Sequence, residues 1–415
     1  LGIDSTDDDN YKITIQYANT TQISGGASES GGKAGSEIVD NVTIEAPNIY
    51  AGVGLANNIV SKSFSMSHAK LIVFSKEIAE KGVKDMIETL VRSEEIRPDV
   101  FIAVANTTAN DYLTSVNPEM EVNPAQYYQL IYQKNQLVGI PDGQLREFFT
   151  GLYTDNYDSI LPVAGVIEGS GSNRQNDDKG QSKDGQNEGS EGSSESLDSF
   201  ESKSSDDKDE NEKEKDAEKN TSKYEYDIKN YVGGETAIEK KNKAEAIGAA
   251  VFEKDKMVGE LGEVETEICK ILKGDYTYSY LTYYNNDTPD IPITVKTTQQ
   301  KKPKYKIDTD KKTVDIELYI ESDLYSLPAD YNVENKIEDF ERDVANYTSS
   351  ACTEFINNFT KKYNSDILKL NEKVKYKFLT NNQYNWFKKN VGWSEYKFSV
   401  CTNFKVRRTG LIVRE

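Results

Sequence analysis

A single histidine, His68, is the only imidazole in the 415 residues of this chain, so a Ser-His-Asp or Cys-His reaction centre would have to be built on it. Ser65 and Ser67 lie beside it without the Gly-x-Ser-x-Gly turn that exposes a nucleophilic serine. His68 therefore reads as a structural, hydrogen-bonded residue at the start of a buried strand. One imidazole also excludes histidine-rich metal sites. The three cysteines, Cys269, Cys352 and Cys401, are too widely spaced for a zinc or CxxC pattern. Their odd number rules out a fully paired disulfide framework; buried free thiols are the expectation, with a single disulfide pair as the alternative. No acidic run has the spacing of a calcium loop.

Carboxylates are the one abundant chemical resource, with 70 Asp and Glu residues. Glu94, Glu95, Glu119 and Glu121 fall at element ends, where a glycosidase acid can sit, but in so acidic a chain they read as solvated surface. Arg92 and Arg97 bracket Glu94 and Glu95 and are expected to form ion pairs that fix a helix-to-strand turn. Lys405, Arg407 and Arg408 end a strand, placed to touch a phosphate or a partner carboxylate or to guard an exposed edge. The GGKAGS run within residues 22–36 lacks the first glycine of a phosphate-binding loop and carries Ala34 where Ser or Thr is required, so no phosphate site is expected there. The candidate structural or interaction residues are thus His68, Arg92, Glu95, Arg97, Arg407 and Arg408. No catalytic constellation, cofactor or metal is expected.

The net charge of −20 and a pI near 4.7 make nucleic acid and anionic headgroups poor partners for the bulk of the surface. No run approaches the ~18 apolar residues of a membrane span. The sequence opens at Leu1-Gly2-Ile3 without methionine, which reads as a removed natural N-terminus.

The elements that would position any site are organised around residues 67–105. An apolar run at 71–74, a helix capped by Ser75 with Ala79, Val83, Met86, Ile87 and Leu90 on one face, and a second β-rich run at 100–105 make a βαβ unit spanning 69–105. Strands are expected at 11–17, 38–44 and 160–167, and helices at 48–61, 107–115, 124–134 and 143–153. Residues 169–223 then carry 16 acidic and 9 basic side chains with Leu197 and Phe200 almost alone as large apolar residues. That composition predicts a disordered acidic insert, read first as a spacer, with an interaction tail as the alternative. Beyond it come a hairpin at 246–258, a helix at 261–272, and strands at 276–284, 291–297, 304–307 and 313–320 forming an antiparallel sheet with one wet face. A helix of about 333–360 should cover that sheet, followed by a short helix around NQYNWFKKN and a closing strand at 396–406.

LGID at the start, SHAKLIVFSKEIAEKG, LVRSEEIRPDVFIAVA and PAQYYQLI resemble the N-terminal half of the spore germination receptor C subunits, the Ger(x)C lipoproteins. IGAAVFEKDKMVGEL, followed by Glu265-Thr266-Glu267, and the closing FSVCTNFKVRRTGLI resemble their C-terminal domain. The resemblance implies an α+β fold in about three compact units, with mixed and antiparallel sheets flanked by helices. It divides the chain into an N-terminal domain at 1–168 with room for two subdomains, the acidic insert at 169–223 and a C-terminal domain at 224–415. It implies a protein that is not an enzyme: a subunit tethered by a diacylglycerol-cysteine, after removal of a signal peptide, to the outer face of the inner spore membrane. Its implied partners are two integral-membrane subunits, A and B, of a nutrient-germinant receptor, with no nucleic acid. The long insert departs from the family pattern, as in part does the run Asp366 to Leu370. Two rival expectations remain: a small-molecule-binding lipoprotein, and a secreted glycan-acting hydrolase built on a carboxylate pair.

Overall fold

The computed structural model describes residues 1–8, 10–18, 39–118, 121, 123–133, 139–154, 156–167, 230–236, 242–284, 292–327 and 336–409. The expected acidic insert and the GGKAGS loop lie outside the described residues.

The first sheet begins with β1 (Gly2–Ser5), β2 (Tyr11–Ala18) and β3 (Val39–Ala46); the apolar–polar alternation of Tyr11–Tyr17 does not become alternating burial, since Ile13, Thr14 and Ile15 are all buried. Helix α1 (Ile49–Asn57) follows, its first turn capped by the Asn48 side chain accepting from the Ala51 N–H at 2.9 Å. Strand β4 (Leu71–Phe74) is buried at every position. The single helix expected after it is two, α2 (Lys76–Lys81) and α3 (Lys84–Arg92). Gly82 separates them at φ 124°, a conformation closed to other residues, and the Val83 N–H leaves the helix to bond the Asp255 carbonyl at 2.9 Å. The apolar stripe survives the break, and Ile78, Ala79, Val83, Ile87 and Leu90 are all buried.

Strand β5 (Phe101–Ala105) runs parallel to β4, as a βαβ unit demands. Helices α4 (Ala109–Ser115), α5 (Pro124–Gln133) and α6 (Leu145–Thr154) then lead to β6 (Ile160–Val166). The hairpin β7 (Ala244–Glu253) and β8 (Lys256–Leu261) completes an eight-stranded mixed sheet in the order β3-β2-β1-β4-β5-β6-β7-β8. The sheet therefore takes strands from both sides of the acidic stretch. Apolar side chains cover both of its faces: Phe74, Ile102, Val104 and Phe252 in one cluster, Val73, Ala103, Tyr112 and Tyr132 in the other. Burial on two sides is why these strands read as continuous apolar runs.

Helix α7 (Glu263–Lys273) connects to the second sheet, built from β9 (Tyr278–Tyr284), β10 (Pro292–Thr298), β11 (Lys304–Asp308) and β12 (Thr313–Ser326). Helix α8 (Ile337–Lys362), 26 residues long, and the short α9 (Leu370–Val374) and α10 (Asn381–Asn390) precede the closing strand β13 (Lys397–Arg408). Pairs among β9 to β12 are antiparallel as expected, with Val314, Ile316, Leu318 and Ile320 inward. β13, however, pairs parallel to β12, so this sheet too is mixed. The helices between them return the chain to the starting end, which forces the parallel sense.

The long helix does more than cover a face. While Phe340, Val344, Cys352, Ile356 and Phe359 are buried, its polar side chains run along the free edge of β13. Glu341 accepts the Val406 N–H at 2.8 Å, Ser349 that of Thr402 at 2.9 Å and Thr353 that of Val400 at 3.1 Å. Asn357 accepts from Phe398 N–H at 3.1 Å and donates to its carbonyl at 3.0 Å. Alternate residues of a strand point their N–H groups to the same edge, and helix positions four apart share a face, so two periodicities meet here. Cys269 and Cys352 are buried free thiols, whereas Cys401 is exposed on the wet face of β13, a correction to the expectation for that cysteine.

Candidate functional site

A polar cleft of about 330 Å³ is lined by residues of α6, the approach to β6, the β7–β8 turn, and the segment from the end of α8 to Ser394. Its keystone is Asp366, only 6% exposed. Asp366 accepts the Leu370 and Asn371 N–H groups at 2.8 Å each, capping α9. Asp158 faces it: one carboxylate oxygen accepts the Asp366 N–H at 2.8 Å and the other accepts the Lys254 N–H at 2.8 Å. The Asp158 N–H in turn reaches the Asp366 carbonyl at 3.2 Å. Burial pushes the Asp366 carboxyl up to about 7, against the two N–H groups that favour its charged form and with the nearby Asp158 adding to the rise.

Around this pair the two sides of the cleft are bolted together. Ser365 donates to the Phe252 carbonyl at 2.8 Å, and Asn364 to the Glu253 carboxylate at 2.9 Å. Tyr384 donates to Asn156 at 3.0 Å, beside Lys388 at 3.3 Å from the same oxygen. Lys369, in a left-handed backbone conformation at φ 57°, pairs with Glu147 and holds its ammonium 4.1 Å from the Tyr157 ring centre. Burial works to raise the Glu147 carboxyl, but the bond and charge of Lys369 hold it below the usual range. Gly259 is required where Tyr363 crosses the hairpin, since a Cβ there would lie 2.3 Å from the Tyr363 hydroxyl.

Two carboxylates in one cleft, one with a raised pKa, are what a glycan-cleaving pair needs. Here both oxygens of Asp158 and both of Asp366 already accept main-chain N–H groups. These bonds fasten both carboxyls to the main chain and help to cap α9. Among the described residues no group of His, Cys, Asp and Glu has the arrangement of a metal site, and no helix is long and apolar enough to cross a membrane.

The residues singled out by sequence do not gather at this cleft. His68 ends a 3₁₀ turn, Met66–His68, and is exposed, not set in the start of a strand. Ala69 closes that turn with its N–H on the Met66 carbonyl, and the strand begins at Leu71. His68 lies on the rim of a second, open groove of about 850 Å³ with Tyr17, Phe64 and Tyr128 in its walls. Glu95 meets the same turn by accepting the Met66 N–H at 3.1 Å. Arg92 is exposed in the last turn of α3. Arg97 makes a two-pronged, exposed pair with Asp99 at 2.8 and 2.9 Å, just before β5, in place of the expected pairs with Glu94 or Glu95. Arg407 lies 2.7 Å from Glu321, and Arg408 ends β13 opposite Asp323. The neighbouring Lys405 pairs with Glu341 at 2.5 Å. Asp158, Asp366 and Tyr384 went unnoticed in the sequence. The Asn364-Ser365-Asp366 cluster ahead of a helical run was a capping signal, but its partners lie some 200 residues away.

Comparison with known proteins adds the following. Residues 1–166 match the family described as "Spore germination protein N-terminal domain", and residues 247–410 match "Spore germination B3/ GerAC like, C-terminal". Among curated proteins, the chain is 27% identical over 144 residues to "Spore germination protein KC" of Bacillus subtilis (strain 168), covering 32% of this chain and 35% of that one. It is 27% identical over 104 residues to "Spore germination protein GerQC" of Bacillus cereus, covering 25% and 29%. These matches span about a third of the relatives' own length. The fold is that of the structure titled "Crystal Structure of the GerBC protein", with a TM-score of 0.52 and 14% identity over 98% of this chain and 96% of that one.

Proposed function

The chain belongs to the GerAC-like spore germination proteins, and we propose that it is the non-catalytic C subunit of a nutrient-germinant receptor. In this reading a diacylglycerol-cysteine ahead of the described residues holds it at the outer face of the inner spore membrane. There it assembles with two integral-membrane subunits and relays a signal without chemistry of its own. The observation that carries the reading is the pair of family matches, in the family's order, on either side of the acidic stretch. The tying of Asp158 and Asp366 to main-chain N–H groups supports the absence of catalysis. The domain limits at 168 and 224, with the acidic stretch as a spacer between two interacting units, are part of the same proposal.

Nutrient-triggered dipicolinate release from spores lacking the protein tests it. The deletion abolishes the response to at least one nutrient, the intact precursor restores it, and a precursor without its lipid-acceptor cysteine restores it poorly. Normal release towards every nutrient contradicts the proposal. The hydrolase reading has one observation in its favour, the raised Asp366. Release of soluble fragments from spore peptidoglycan by the purified chain, lost on Asp366→Asn, would establish it instead.

A further inference from the structure

The stretch that fastens the cleft on its inner side is unusual on its outer side. Leu379 is 94% exposed, Tyr376 79% and Trp386 64%, on a short link and helix (α10) whose other face is firmly packed. Phe378 stacks 5.0 Å from Phe387, Phe387 lies 5.8 Å from Trp393, and Tyr384 is buried and bonded to Asn156. The exposed side chains are thus presented by a rigid platform and are not the product of a loose end. Lys377, Phe378, Leu379, Asn382, Gln383 and Trp386 line a shallow, open depression of about 650 Å³.

The charge of this stretch is opposite to that of the chain. Residues 369–389 hold six lysines against the single Glu372, in a protein of net charge −20. Of these, Lys375 and Lys377 are exposed on the link that carries Tyr376 and Leu379, while Lys389 lines the inner cleft. Lys377 donates to the Ile307 carbonyl and lies within electrostatic reach of Asp308. At physiological salt the Debye length is about 8 Å, so a surface approaching this patch responds to the local lysines and not to the distant acidic bulk.

We propose that Tyr376, Leu379 and Trp386, flanked by Lys375 and Lys377, form a docking patch for an anionic lipid bilayer. Lysine is depleted from the cores of protein–protein interfaces, whereas Trp and Leu flanked by Lys is the composition that sits at a headgroup boundary. The open depression fits a broad surface better than a threaded peptide. The inference deepens the membrane placement proposed above. The vesicle assay below fails alone, with nutrient dependence intact, if only the patch is misassigned.

The purified chain is floated with vesicles of phosphatidylcholine alone and with vesicles containing phosphatidylglycerol. It binds the second and not the first, and binding falls as salt rises. Each lysine near an anionic surface multiplies binding by about five-fold, so Lys375→Glu with Lys377→Glu weakens it by roughly 25-fold or more. Leu379→Ser with Trp386→Ser, both at exposed positions that leave the packed face intact, abolishes it. The chain has two tryptophans and Trp393 is buried, so a blue shift of emission on binding reports Trp386 and is lost in Trp386→Phe. Absence of binding, equal binding by the variants, or concentration-dependent self-association removed by the same substitutions overturns the proposal.

Discussion

The two sheets solve the same problem, keeping main-chain groups away from water, in different ways. The first is sealed on both faces by apolar side chains, with Ile72, Val73, Phe74, Ile102 and Ala103 fully buried. The second has one wet face and an edge strand, β13, whose outward N–H groups are satisfied by Glu341, Ser349, Thr353 and Asn357 of the long helix. The first depends on volume and the second on polar register. A sealed sheet tolerates little change at any point of its core, whereas the edge of the second is held by several separable bonds.

That contrast can be broken by substitution. Phe74→Ala, in the sealed sheet, is expected to cost about 3–5 kcal/mol in chemical denaturation, the transfer loss plus a cavity. A cost near 1 kcal/mol would show that this core repacks freely. Asp366, where the two sheets are joined, should give stability a pH slope. Its carboxyl is raised from 3.8 to about 7, so folding favours the neutral acid. Its contribution is complete below pH 3.8 and is lost as pH rises through about 7, by up to about 4 kcal/mol for the whole shift. Asp366→Asn, compared with the parent across that window, should remove this part of the slope. An unchanged slope would mean that the two N–H donors outweigh burial.

On the second sheet, Asn357→Ala strips both bonds from Phe398 and should cost about 1–3 kcal/mol. Hydrogen exchange at Phe398 should quicken first, with Val400 and Thr402 less affected. Uniform loss across β13 would show the edge to be one cooperative unit. Lys405→Met, at the exposed end of the same edge, should cost less than about 1 kcal/mol, since Glu341 keeps its bond to the Val406 N–H.

The sealed sheet was readable in the sequence because burial on both faces leaves unbroken apolar runs such as Leu71–Phe74, and the wet sheet because Val314, Ile316, Leu318 and Ile320 alternate. The break at Gly82 was not, since the apolar stripe continues across it at nearly helical spacing and only the long-range bond from Val83 to Asp255 requires it. The parallel sense of β13 was hidden for a similar reason: alternation reports which face is buried and not the direction of the neighbour. The cleft was the least legible feature. Asp158 and Asp366 are ordinary polar residues in sequence, and their roles arise from main-chain partners supplied by distant elements. His68, chemically the most conspicuous residue, proved to be exposed on a turn.

Affinity purification from spore membranes tests the proposed assembly with integral-membrane subunits most directly. The full-length precursor, tagged at its C-terminus, is recovered after mild detergent extraction. Two integral-membrane proteins should co-purify with it in constant proportion, from extracts of dormant spores before any nutrient is added. Recovery of the chain alone, under conditions where other membrane complexes survive, would contradict the account.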